Sequence, residues 1–403
     1  MYRFSFFWTC YILKSLFHFV SLPLRLLIDN FSVKSYQYGS ILLFGTFTFV
    51  AVLKQWAPEL VFFSSALTLG YVTFPVTILA EVVAITIPTG KDLVLETAFS
   101  NLAWLVLGMC CVVRGDFSVI TDFISGSIIS QSLLGVGFGF CLSGVQNQEA
   151  MLNISMSSTA NSLRMVAYVP FALCWFLLPE SKDNMSRSPS NALLIYSRGS
   201  SLILLIWYIL YWWFRRHSHR ALYADTEYGE DSHPSGTTSE PEVYVNSTMA
   251  LITCEILVSI PIMIFCGWEL SRSTSQILER DHAIGRFLTL VILPLLVNNS
   301  ELVSIAQAGY EGYLDATIVA TQNTTLHMML FLASIYVLFG WTFGSQMTLL
   351  CDGVSLFVFG VVTWVIGVIT KDGKANYLKG AICISLSLTY GAGYRAEKRS
   401  LEQ

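Results

Sequence analysis

The chain has 403 residues, of which 54% are apolar and only 12% are charged, with a mean hydropathy of +0.59. Soluble domains carry about a quarter of charged residues, so this composition excludes an ordinary soluble protein and indicates a membrane protein. The net charge of −4 is too small to indicate a nucleic-acid partner. The nine cysteines are scattered through apolar segments, without the spacing of a zinc site or a disulfide framework.

Apolar runs of about 20 residues recur along the chain, and each is long enough to span a bilayer. The runs lack the alternation of barrel strands, so we expect helices. The predicted spans cover about 39–53, 60–88, 93–113, 118–144, 161–179, 194–214, 247–268, 284–306, 316–342, 353–370 and 376–393.

The spans predict an all-α integral membrane protein with about 11 transmembrane helices, one N-terminal helix followed by two inverted five-helix repeats. Basic residues near the N-terminus, at 215–220 and at 371–374 place those segments on the cytosolic side. The predicted division of the chain is an N-terminal apolar or interfacial segment 1–38, a first helix and link 39–58, a first repeat 59–214, an acidic polar loop 215–246, a second repeat 247–394 and a tail 395–403.

Two predicted spans carry polar clusters in the middle of apolar sequence. The first cluster ends in Glu301, and a carboxylate in mid-span indicates a functional site. Ser, Thr and Asn side chains also hold membrane helices together, and for Thr324 and His327 a packing role stays as open as a functional one. The clusters are Asn298, Asn299, Ser300 and Glu301, and Asn323, Thr324, Thr325 and His327.

A faint copy of these clusters lies 197 residues upstream. Asn101 corresponds to Asn298, Ser127 to Thr324, and Ser130 to His327. A fixed offset between two hydrophobic halves is typical of the internal repeats of secondary transporters. At the same offset, Trp104 stands where a counterpart of Glu301 is expected.

Several stretches resemble the cation/proton exchanger family, the calcium/proton antiporters of fungal and plant vacuoles. The resemblance covers about 39–395 and rests on 56–62, Gly126-Ser127-Ile128-Ile129-Ser130, Ser197-Arg198-Gly199, Gly340-Trp341 with Met347-Thr348-Leu349, and 371–377. It implies the family fold and calcium/proton antiport across a vacuolar membrane, with calcium or another cation and protons as substrates and no cofactor.

The family's signature reads Gly-Asn-Ala-x-Glu in each half, and its two glutamates bind cation and proton. Here the second copy is Val297-Asn298-Asn299-Ser300-Glu301, whereas the first, Ser100-Asn101-Leu102-Ala103-Trp104, has tryptophan in place of glutamate. The resemblance implies a metal site at Glu301, Asn298 and Asn101, completed for cation and proton binding by Ser127, Ser130, Thr324, Thr325 and His327.

A single midplane carboxylate changes the charge balance of such a site. Calcium prefers six to eight oxygens with carboxylate charge, and one carboxylate leaves a net positive charge in low dielectric. Three outcomes stay open. Glu96 replaces the missing acid; one carboxylate exchanges a monovalent cation for a proton, with His327 titrating beside it; or the protein is a non-transporting regulatory paralogue. The sequence contains no enzyme motif, and the expected partners are membrane lipids, cations and protons, with a homo-oligomer left open.

Overall fold

The computed structural model describes residues 32–86, 101–146, 150–176, 190–219, 222–223 and 241–401. Helices make up nearly all of these residues, as the continuous apolar runs predict. Within the described ranges, four helices are long and apolar enough to cross a membrane, and a helix pair bent by 58°, His282–Val297 with Asn299–Tyr310, gives a fifth. The four are Phe117–Val145, Asn191–Ser218, Leu314–Thr342 and Gly353–Thr370.

The helices of the N-terminal half contribute buried residues to one apolar core. Helix α4 continues through a π-helical turn, π1, into α5, and π2 ends α7. The elements are α1 Ser32–Leu53, α2 Pro58–Thr86, α3 Leu102–Arg114, α4 Phe117–Ser130, π1 Gln131–Gly135, α5 Val136–Gln146, β1 Ala150–Met151, α6 Ile154–Phe176, α7 Asn191–Trp213 and π2 Phe214–Ser218.

The C-terminal half contains two further π-helical turns inside its helices. Asp281 and Asp352 begin α9 and α14 by accepting backbone N–H groups with their carboxylates, as N-cap residues do. The elements are α8 Pro241–Arg280, α9 His282–Phe287, π3 Leu288–Ile292, α10 Leu293–Val297, α11 Asn299–Tyr310, α12 Leu314–Leu326, π4 His327–Leu332, α13 Ala333–Thr342, α14 Gly353–Thr370, β2 Lys374–Ala375 and α15 Tyr377–Leu401.

Several predicted boundaries are wrong. Helix α8 is 40 residues long, so it includes the end of the predicted 215–246 loop and the polar stretch after 268. The predicted 395–403 tail is helical as far as Leu401, and α1 begins at Ser32 rather than 39. Helix α6 begins at Ile154, seven residues before the predicted span. In each case a polar extension continues a helix beyond its apolar run.

Glycines bring α2 and α4 into close contact with the second half. A Cβ atom on Gly70 would lie 2.2 Å from the carbonyl oxygen of Leu296, and one on Gly126 would lie 2.1 Å from that of Leu290. No side chain fits at these distances, so glycine allows the backbones of α2 and α10, and of α4 and π3, to pack directly together.

Backbone features recur at the 197-residue spacing of the sequence. Asn101 (φ −104°, ψ 13°) and Asn298 (φ −94°, ψ 14°) precede α3 and α11 with nearly identical dihedral angles. Phe117 and Leu314 begin α4 and α12 at the same spacing, and the turns π1 and π4 follow these two helices.

Candidate functional site

Glu301 lies in the first turn of α11, directly after the break between α10 and α11. A carboxylate at this position is favoured by the partial positive charge of the helix N-terminus. Its Oε2 atom accepts a long hydrogen bond (3.4 Å) from Nε2 of Gln131 in π1. Its carboxylate also interacts with the hydroxyl of Thr324 in α12. Both partners are neutral, so they orient the carboxylate without cancelling its charge.

The helix break next to Glu301 supplies further oxygen atoms. Both polar side-chain atoms of Asn298 are buried and have no hydrogen-bond partner among the described residues. Ser300 contacts Thr73 of α2 through their hydroxyls, which are 2.9 Å apart. The break therefore combines a carboxylate with an amide oxygen to which no donor in the described ranges is hydrogen-bonded.

Asn101, the residue that precedes α3, faces His327. The amide Nδ2 of Asn101 lies 3.4 Å from Nδ1 of His327, the first residue of π4. The imidazole ring also contacts the ring of Tyr208 edge-on, with centroids 5.4 Å apart. Among the described residues, Asn101 and His327 are the two members of the sequence-derived set that are in contact across the two halves. Thr324 and Glu301 are in contact within the second half.

The polar residues of α12 bind to both neighbouring helices. Thr325 Oγ1 is 3.2 Å from Ser132 Oγ in π1, and Asn323 Oδ1 accepts a hydrogen bond of 2.8 Å from Tyr211 of α7. These contacts fix the rotation of α12 about its axis. They therefore also fix the position of Thr324, which lies between Asn323 and Thr325 in the sequence.

The two predicted serines of α4 are buried at its end. Ser130 donates to the carbonyl oxygen of Ser127 (3.3 Å), whereas the Ser127 hydroxyl is buried without a partner in the described residues. Ser130 directly precedes π1, whose Gln131 contacts Glu301. Glu96, which sequence analysis proposes as a replacement acid, lies outside the described residues.

Trp104 is buried in α3, with 3% of its surface exposed. Its carbonyl oxygen accepts a hydrogen bond of 2.6 Å from the hydroxyl of Tyr336 in α13. A large indole is therefore buried at the position that the 197-residue sequence offset pairs with Glu301. In the described ranges, no group of three or more His, Cys, Asp or Glu side chains could hold a metal ion.

Sequence analysis missed Gln131, Ser132, Thr73 and Tyr211. Gln131 and Ser132 directly follow Ser130 in the same polar stretch, and this adjacency is the signal that could have identified them. Nothing in the sequence indicates Thr73 or Tyr211, because each is one polar residue within an apolar run.

Comparison with solved structures defines the class of fold. The chain matches the structure of native YfkE with a TM-score of 0.71 over 89% of this chain and 98% of that one, at 16% identity. It matches the H⁺/Ca²⁺ exchanger CAX with a TM-score of 0.60 over 89% and 92%, at 11% identity. The protein therefore has the fold of these membrane exchangers.

No protein-family model matches the chain. Comparison with curated proteins gives relatives that are all named as calcium transporters or cation/proton exchangers. The vacuolar calcium ion transporter of Schizosaccharomyces pombe is 24% identical over 87% of this chain and 83% of its own length. The Ca²⁺/H⁺ antiporter of Aphanothece halophytica is 24% identical over 90% and 96%. The vacuolar cation/proton exchanger 2 of Oryza sativa is 25% identical over 74% and 68%.

Proposed function

We propose that this protein is a secondary active transporter that exchanges calcium or another cation for protons across an organelle membrane, that of the vacuole. The observation that carries the proposal is Glu301, a carboxylate at a helix break inside an apolar helix bundle. A cation and a proton compete for the same carboxylate oxygens, and this competition is the basis of exchange. The fold and the relatives named as calcium/proton antiporters support it.

The proposed architecture has eleven membrane-spanning helices, with one N-terminal helix before two inverted repeats of five at 59–214 and 247–394. The repeated dihedral angles at Asn101 and Asn298 support it, as do the equal spacings of the helix starts at Phe117 and Leu314. Two related halves provide the symmetry on which alternating access depends.

In the proposed mechanism, Glu301 carries either a proton or the cation. Asn298 and Asn101 supply amide oxygens as further metal ligands. The remaining members complete the shell with hydroxyl groups and an imidazole, and are Ser127, Ser130, Thr324, Thr325 and His327. Calcium accepts the neutral amide and hydroxyl oxygens beside a carboxylate, and the imidazole of His327 is a group that can bind a proton. Calcium here is the transported substrate, and neither an enzymatic reaction nor a cofactor takes part.

A second candidate, exchange of a monovalent cation for one proton, is favoured by Trp104. With a buried indole at the position corresponding to Glu301, the described site keeps one carboxylate. A single negative charge balances one monovalent cation or one proton, whereas calcium leaves one positive charge uncompensated. The non-transporting paralogue remains the alternative that the experiment must exclude.

The test is cation uptake into proteoliposomes driven by a proton gradient, measured separately with Ca²⁺, Na⁺ and K⁺. We expect uptake above empty vesicles for the wild type and loss of that uptake in Glu301→Gln. The matched control is Glu311→Gln, which removes an exposed carboxylate at the end of the same helix. Uptake at the empty-vesicle level for the wild type would show a non-transporting protein, and equal uptake by wild type and Glu301→Gln would move the site elsewhere.

A further inference from the structure

Arg164 is a charged residue completely enclosed in the membrane-spanning bundle. It lies within α6 with 0% of its surface exposed, and one Nη2 hydrogen bond to Oδ1 of Asn161 holds its guanidinium. Its Nε and Nη1 atoms are buried and hydrogen-bond to nothing in the described part of the chain. None of the ion pairs formed within those residues includes Arg164.

An unpaired charge of this kind is expensive in a membrane helix and therefore indicates a function. Asn161 binds the guanidinium with its oxygen and uses its own Nδ2 to reach Thr370 of α14 at 2.7 Å. The guanidinium is thus positioned by a defined contact, but its charge is not neutralised there.

Arg164 is linked to the α12 part of the site through Tyr211. Its guanidinium interacts electrostatically with Tyr211, whose hydroxyl donates to Asn323. Arg215 of π2 also interacts electrostatically with Tyr211 and with His327. Thr324, the residue after Asn323, contacts the Glu301 carboxylate. Helix α6 is also joined to α12 by the hydrogen bond of 3.0 Å from Gln322 to Ser157. The neutral side chains of Tyr211 and Asn323 therefore link the positive charge of Arg164 to the site.

The charge balance follows from these positions. Taken as a pair, ionised Glu301 and Arg164 are neutral when the site is empty. A proton or a monovalent cation raises the total to +1, and a divalent cation raises it to +2. Arg215 adds the same positive charge to the wild type and to every Arg164 variant, so it does not alter the comparison between them. Coulomb energy is proportional to the product of the charges, so Arg164 repels a divalent cation twice as strongly as a monovalent one at the same position.

We propose that Arg164 is a specificity-determining residue whose fixed positive charge lowers the affinity of the site for divalent relative to monovalent cations. The inference rests on the proposed function, in which Glu301 binds the exchanged cation. Arg164 touches no cation itself. It is a positioning residue that acts through its field across Tyr211 and Asn323.

The experiment measures cation binding to the purified full-length protein in detergent, using stabilisation against thermal unfolding by CaCl₂ or NaCl at constant ionic strength set with a choline salt. Arg164→Gln removes the charge and keeps a donor for Asn161, whereas Arg164→Lys keeps the charge. We expect Arg164→Gln to lower the Kd for Ca²⁺ about tenfold and that for Na⁺ about threefold, in the ratio that the two ionic charges require. Arg164→Lys keeps the wild-type ratio, and Arg164→Met is the second neutral variant if Arg164→Gln is unstable.

Each outcome of these Kd measurements either supports or overturns the inference about Arg164. Equal Kd values for Ca²⁺ in the wild type and both neutral variants overturn the inference, and so does an equal change for Ca²⁺ and Na⁺, which a purely structural role would give. Introducing Glu301→Gln into the wild type and into Arg164→Gln tests the proposed function separately. If Glu301→Gln removes cation binding while Arg164→Gln leaves the ratio of the Kd values for Ca²⁺ and Na⁺ unaltered, only the inference fails. If cation binding survives in Glu301→Gln, the proposed function fails.

Discussion

At the scale of single residues, the carboxylate of Glu301 is surrounded by groups that orient it but do not neutralise it. Gln131 donates from π1 and Thr324 interacts from α12. The negative charge therefore remains available to a cation or proton, and the number of carboxylates determines which cation the site can balance. In the proposed mechanism, Trp104, which is buried at the position that the 197-residue offset pairs with Glu301, limits this number.

Replacing Trp104 with glutamate tests this limit. We expect Trp104→Glu to raise calcium uptake into proteoliposomes severalfold, because a second carboxylate balances the second charge of the ion and a smaller side chain leaves room for it. The measurement is the initial rate of Ca²⁺ uptake under a proton gradient.

Trp104→Gln is the matched control, since it creates nearly the same space without the charge. Equal uptake by the glutamate and glutamine variants, with equal amounts of folded protein by size-exclusion chromatography, would contradict a role for charge at this position. A gain shared by both variants would instead indicate that the volume of the indole limits transport.

The site could be predicted in part. Glu301, Asn298, Thr324 and His327 stand out in the sequence because polar groups are costly in an apolar span. Gln131 reaches Glu301 across 170 residues and Tyr211 reaches Asn323 across 112. Such contacts depend on how the helices are rotated against each other, and no local pattern contains that information.

At the scale of elements, close backbone packing holds the broken helix of the site in place. Gly126 of α4 contacts the backbone of Leu290 in π3, and Gly70 of α2 contacts that of Leu296 in α10. The π-helical turns lie beside these contacts, and such turns are frequent at functional sites because they leave the regular hydrogen-bond ladder.

A single methyl group on Gly126 is expected to disturb this packing. Its Cβ would lie 2.1 Å from a backbone oxygen that cannot move aside alone. We expect Gly126→Ala to destabilise the protein by about 1–3 kcal/mol, as overpacking does, although alanine is the better helix former. The measurement is the midpoint of thermal unfolding in detergent. Gly199→Ala in α7, where a Cβ meets nothing within 4 Å, should keep or raise the midpoint; a similar loss in both variants would disprove the steric explanation.

Helix existence was more predictable than helix length. The apolar runs identify the helices at Asn191–Trp213 and Gly353–Thr370 to within a few residues. The apolar run does not predict the length of α8, because polar residues on both sides of the run extend this helix to 40 residues. Hydropathy predicts which residues can lie in the bilayer, whereas the end of a helix is determined by a capping residue or a turn.

At the scale of the whole molecule, the two ends of the bundle are fastened by different interactions. One end is joined by charges. Arg280 pairs with Glu59 at 3.2 Å, and Arg286 lies between Asp352 at 2.9 Å and Asp122 at 3.8 Å. These contacts place the turn after α1, the start of α9 and the start of α14 at one end.

The other end is joined largely through the backbone. Strands β1 and β2 pair Ala150 with Ala375, and the backbone N–H of Asn153 donates to Asp315 at 2.7 Å. Met156 and Val319 pack with Tyr223, which follows π2. The starts of α6, α12 and α15 therefore meet the end of α7 here, next to the basic segments at 215–220 and 371–374.

The assignment of these segments to the two ends of the bundle predicts the orientation of the protein in the membrane. Since basic segments remain on the cytosolic side, Ser218 and Lys371 should face the cytosol, and Lys54 and Thr342 the opposite compartment. Cysteine placed singly at these four exposed positions should react with a membrane-impermeant maleimide from the corresponding side only, above the background of the wild type. Oriented vacuolar vesicles, intact or made permeable, distinguish the two sides. If cysteines at 218 and 371 react from opposite sides, the chain between them crosses the bilayer an odd number of times, and the arrangement of one helix followed by two units of five is wrong. If all four cysteines react as expected, the inverted relation of the two halves around Glu301 is supported independently of any transport measurement.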